Sequence, residues 1–145
     1  MDSTFIAACQ GAGLALAAGI LAGAPGRSDG LGSFLEFVGA IGGAVLFAVS
    51  LDASNHAAWP GYIAGAALAL LAYLVARDVA AGAAGRAGAG SGAISGFVAL
   101  AALVLAGLSL VIEPISIAAF VAVVVLGIAR RRRAGRKYEG LRVLR

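Results

Sequence analysis

The chain has 145 residues, of which 61% are hydrophobic and 12% charged, with a mean hydropathy of +0.99. A soluble domain carries about 25% charged and about 45–50% apolar residues, so a surface this poor in charge excludes a protein dispersed in water. The length leaves no room for a separate soluble module. The net charge of +4 does not indicate nucleic acid, because eight of the eleven Lys and Arg lie in 130–145, directly behind an apolar segment; that placement is a membrane-topology signal.

A transmembrane helix needs about 20 apolar residues. The N-terminal Met1-Asp2-Ser3-Thr4 has no positive region, so no cleaved signal peptide is expected and the first apolar segment stays in place. That segment is predicted as a helix over about 4–24, ended by Pro25-Gly26-Arg27-Ser28-Asp29-Gly30. Within it Gly11, Ala15, Gly19 and Gly23 recur every four residues and form one small-residue stripe. Such stripes let helix backbones approach closely in lipid. Two readings stay open: an interface between copies of the chain, or packing within one subunit. Gln10 is polar inside the same segment and fits an interhelical hydrogen bond or a transport path. Cys9, the single cysteine, reads as a buried structural thiol with no disulfide partner.

A second helix is predicted over about 34–51, with Gly39 and Gly43 as small positions and Glu36 about one turn in. An acidic residue inside a membrane segment is a functional candidate; the alternative is an interfacial carboxylate near Arg27. The loop Asp52-Ala53-Ser54-Asn55-His56 follows. Three close polar residues there lack HExxH or HxxxH spacing, so no metal site is expected. His56 is the sole histidine, which leaves the serines without a Ser-His-Asp context. With no phosphate-binding glycine motif either, neither an enzyme nor a cofactor is expected.

The third helix is predicted over about 58–76, carrying Gly61, Gly65 and Ala69 and closing at Arg77-Asp78. A Gly/Ala-rich linker with Arg86 fills 79–92. The next apolar run, Ala93 to Ala129, holds 37 residues and one ionisable group, Glu113, followed by Pro114. As one helix it would measure about 55 Å against a hydrocarbon core of about 30 Å. Proline disfavours helix in the residue before it and suits the first turn of a new one. The run therefore reads as two helices, about 93–112 and 114–129, with Glu113 at the turn or as a working carboxylate in a broken helix.

A basic tail, 130–145, contains Arg130, Arg131, Arg132, Arg133, Arg136 and Lys137. It fixes orientation and also suits anionic headgroups. With five crossings and the tail inside, all eleven basic residues fall on the cytoplasmic side and Asp2, Asp52, His56 and Glu113 outside, as the positive-inside rule requires. The expected architecture is an all-α, polytopic transmembrane bundle over 1–129, N-terminus out and C-terminus in. The Ala, Gly and Arg bias fits a high-GC bacterium and its plasma membrane.

The stretches "GAGLALAAGILAG", "ARDVAAGAAGRAG" and "RRRRAGRKYEGLRVLR" resemble a family of small bacterial integral membrane proteins of unknown function, the DUF4126 group. The likeness touches about a third of the chain, which lacks that group's longer charged, proline-rich middle. It implies a membrane bundle and supplies no functional residues. Two functions are expected to compete. One is a small homo-oligomeric transporter or channel-like protein using Gln10, Glu36 or Glu113. The other is an accessory or scaffold subunit whose glycine-rich faces dock on another membrane complex.

Overall fold

The computed structural model describes residues 3–25, 31–87, 91–112 and 115–139, the side chains at 31–32, 87, 91–92 and 133–139 excepted. Among them are five α-helices: α1 Ser3–Gly23, α2 Leu31–Asp52, α3 Trp59–Ala87, α4 Ser91–Val111 and α5 Ile115–Glu139. The described part of the chain is all-α. Four helices, the first four, are long and apolar enough to cross a membrane. In α5 the apolar stretch 115–129 runs straight into the arginines.

Helices that are apolar on every side suit burial or lipid rather than a water-facing surface. Here most large side chains point outwards and the small ones inwards, with Leu16, Phe47, Leu51 and Tyr73 as the large residues kept inside. Phe34, Phe37, Ile63, Phe97 and Leu103 are uncovered, whereas Ala15, Ala69 and Ala72 are fully buried. In lipid this is the expected polarity, since association there comes from close packing rather than from burial of oily surface.

α1, α2 and α3 form a tight unit. A Cβ added to Gly61 would lie 2.8 Å from the Ala48 Cα, and one added to Gly11 would lie 3.2 Å from the Phe47 Cα. Gly19 faces the Ala69 carbonyl, and Gly65 faces that of Gly43, more closely still. Gly39 packs on Ala22. The full stripe of α1, Gly11, Ala15, Gly19 and Gly23, is buried against α2 and α3 of the same chain.

These pairings also set direction. Along α1, Gly19 meets Ala69 and Gly23 meets Tyr73 and Ala76, so α1 and α3 run parallel. Gly11 meets Phe47 while Gly39 meets Ala22, so α2 runs opposite to both. Gln10 reaches Leu110 and Gly13 meets Ser109, which makes α4 antiparallel to α1. Gly127 lies against Val75 and Arg130 against Gly82, so α5 follows α3. The five helices thus alternate up and down. One end of the bundle carries Arg77, Asp78 and Arg130, and the other carries Thr4, His56 and Trp59.

Two helices are longer than their sequence suggests. α3 does not stop at Arg77-Asp78 but continues to Ala87, through residues that read as linker. Alanine and arginine are strong helix formers, and they outweigh Gly82 and Gly85, each worth about 1 kcal/mol against helix. α5 likewise runs through the arginine block to Glu139.

Candidate functional site

The densest buried polar group lies where α4 and α5 meet α1. Ser109 and Ser116 are 0% and 1% exposed, the two buried polar residues of the described core. Both press on Gly13: a Cβ there would collide with the Ser109 side chain and lie 3.2 Å from the Ser116 Cβ. Glycine at 13 is what lets the hairpin seat on α1. The Ser109 hydroxyl donates to the Ala106 carbonyl at 2.8 Å. Three residues before Gly13, the Gln10 amide donates to the Leu110 carbonyl at 3.5 Å. That carbonyl is in the last turn of α4, where acceptors have no intrahelical donor.

α4 ends with Ile112 N–H donating to Leu108 O at 2.8 Å, and Ile115 N–H then donates to Ile112 O at 3.1 Å. The chain reverses there between two helices, as the Glu-Pro pair suggests. Glu113 itself lies outside the described residues. Beyond the break α4 and α5 touch each other little.

At the same end, the α2–α3 loop is a helix cap. Asn55 has φ 58°, in the left-handed region where asparagine is among the better-tolerated residues. Its N–H donates to Asp52 O at 2.9 Å and that of His56 donates to Leu51 O at 3.1 Å, the paired bonds of a Schellman motif. His56 Nε2 is 2.7 Å from Thr4 Oγ1, tying this loop to the start of α1. Of the loop's three polar residues, Asn55 thus serves backbone termination through its own φ and N–H, and the His56 side chain makes the loop-to-helix bond. Among the described residues no cluster of His, Cys, Asp or Glu could hold a metal ion.

The opposite end is basic. Arg130 donates to the Asp78 carbonyl and lies beside Gly82, whose missing side chain leaves room for the guanidinium. Arg77 sits over the Tyr73 ring, 5.5 Å from its centroid, a cation–π contact. Arg131 and Arg132 are exposed. Arg133, Arg136 and Lys137 continue the helix, with side chains outside the described set. Between α3 and α5 just inside this end is a cleft of about 550 Å³.

Of the three candidate path residues, the two that are described, Gln10 and Glu36, do not converge. Gln10 is near the histidine end. Glu36, half-buried on α2, lies one turn from Gly39 and so toward the arginine end. Phe47, level with Gly11, is eleven residues from Glu36, about 16 Å along a helix. Ser109 and Ser116 carry more of the polar core than any residue chosen for charge. Their signal in the sequence is slight: two serines that bracket Glu113-Pro114 in an otherwise apolar run.

No family model matches the chain, and neither curated proteins nor solved structures gave a match.

Proposed function

We propose that the chain is a multi-pass protein of the bacterial plasma membrane that crosses five times, N-terminus out and C-terminus in. It works there as a non-catalytic accessory or scaffold subunit docked on another membrane protein. The observation that carries this reading is the contrast between two glycine sets. Those described on α1 are all engaged within the chain, as are those on α2 and α3 apart from Gly42 and Gly85. On α4, by contrast, Gly96 and Gly107 have nothing within 4 Å of an added Cβ. They lie eleven residues apart, three helical turns, and so share one face. Among the described α4 side chains only Ala102 and Ser109 are buried. In lipid a small-residue face of this kind suits a partner helix, which moves the docking face from the α1 stripe to α4. The likeness to the DUF4126 group is compatible with this and adds no activity.

A second reading, a homo-oligomeric transporter or channel-like protein, is favoured by one feature. The polar group Gln10, Ser109 and Ser116 gathers at a helix break, the kind of place where carriers hold substrate, and Glu113 belongs to that break by sequence. Native mass spectrometry of protein extracted gently from its own membranes separates the two. A stoichiometric complex with a different membrane protein, lost on Gly107→Leu, supports docking. A discrete homo-oligomer free of partners overturns it and directs flux assays to Glu36→Gln and Glu113→Gln.

A further inference from the structure

α5 has an apolar stretch of only fifteen residues, Ile115 to Ala129, before Arg130. At 1.5 Å per residue that is about 22 Å, short of a core of about 30 Å. Short spans draw headgroups inward or reach out with long basic side chains. In this molecule the short helix also stands off from α3. The resulting cleft, about 550 Å³, is walled by Leu71, Leu74 and Val75 of α3 and by Val124, Gly127 and Ile128 of α5. Its mouth is formed by Asp78, Arg130 and Arg131.

An apolar slot closed at one end by guanidinium groups has the two-part chemistry of a phospholipid. The volume is within the roughly 300–1,000 Å³ of small-molecule sites. Because the slot already faces lipid, an acyl chain gains little by entering it, and selectivity has to come from the mouth. There the two arginines divide the work. Arg130 is held by the Asp78 carbonyl and the Gly82 gap, which fixes the end of α5 on α3. Arg131, exposed beside it, has a free fork of donors suited to paired hydrogen bonds with phosphate oxygens. The Asp78 carboxylate opposes an anion, but Arg77, Arg130, Arg131 and Arg132 outnumber it at this level.

We propose that the α3–α5 cleft is a site for one anionic phospholipid, an acyl chain between Leu74 and Val124 and the headgroup phosphate on Arg131 and Arg130. This deepens the reading of the chain as a membrane protein and rests on it. The binding measurement does not depend on which face is cytoplasmic, so an error of orientation and an error about the lipid show up separately.

The test is native mass spectrometry of the full chain in mild detergent, titrated with phosphatidylglycerol and with phosphatidylcholine. The site requires one phosphatidylglycerol bound in preference to phosphatidylcholine. Arg131→Gln should weaken that binding about fivefold, the worth of one basic residue near a charged surface. Val124→Phe, which fills the slot and leaves the arginines alone, should weaken it as well, with helical circular dichroism unchanged in both variants. Equal binding of the two lipids overturns the site. So does a preference that survives both substitutions and disappears on Arg136→Gln with Lys137→Gln, which would assign it to the tail alone.

Discussion

Glycine at a helix crossing is where this chain is least tolerant of change. Gly19 and Gly65 each face a backbone carbonyl of a neighbouring helix, so a side chain there has no soft atom to displace. Gly19→Leu and Gly65→Val should each cost about 1–3 kcal/mol or more, the range for forcing volume into a close-packed interior. Gly42→Ala, open on all sides, should be neutral or gain up to about 1 kcal/mol from helix propensity. Denaturation in mixed detergent, followed by circular dichroism, ranks the three variants. The cap at Asn55 gives a second residue-level expectation. Asn55→Gly should leave stability unchanged or raise it, and Asn55→Val should lower it by about 1–2 kcal/mol, the cost of left-handed backbone for a bulky residue. The same melting experiment reads both. The α1 stripe was legible as a packing face from spacing alone. What it packs against was not, because four-residue periodicity is the same whether the partner helix belongs to this chain or another. Asn55 and Gly82 were illegible for a different reason: their roles depend on a φ angle and on an arginine 48 positions away.

At the scale of elements, the hairpin of α4 and α5 seats on α1 at Gly13, where Ser109 and Ser116 meet it. A β-branched residue there would push Ser109 and Ser116 off α1 and break the Gln10–Leu110 bond. Gly13→Val should therefore detach the hairpin while α1, α2 and α3 stay packed. Limited proteolysis in proteoliposomes should then cut faster near 88–90, with a protected fragment covering the first three helices. Equal cleavage of wild type and variant would show that the hairpin is held elsewhere. The sequence separated α4 from α5 correctly, since length and Glu-Pro together leave few alternatives. It misjudged where α3 and α5 stop, because the cues used were charges. Arginine ends a membrane span without ending a helix; it is a good helix former, and its long stem lets the helix pass from lipid into water. On the proposed five-crossing topology, the helix end and the membrane edge are separate boundaries.

For the whole molecule, the alternating directions of five helices collect Arg77, Arg86 and Arg130 to Arg132 at one end and His56, Asn55 and Ile112 at the other. That segregation follows from packing among small residues, and it is the distribution that the proposed five-crossing topology requires. The five-crossing topology is the claim on which docking, transport and lipid binding all depend. Its most direct test is cysteine labelling in a Cys9→Ala background, with Ala53→Cys, Ile112→Cys and Gly85→Cys made one at a time. Intact cells are treated with a membrane-impermeant maleimide, and labelling is compared before and after permeabilisation. Five crossings with the tail inside require Ala53→Cys and Ile112→Cys to label on intact cells, and Gly85→Cys to label only once the membrane is opened. If Ile112→Cys stays protected until permeabilisation while Ala53→Cys labels at once, the α4–α5 reversal does not reach the outer face, and the five-crossing account is wrong.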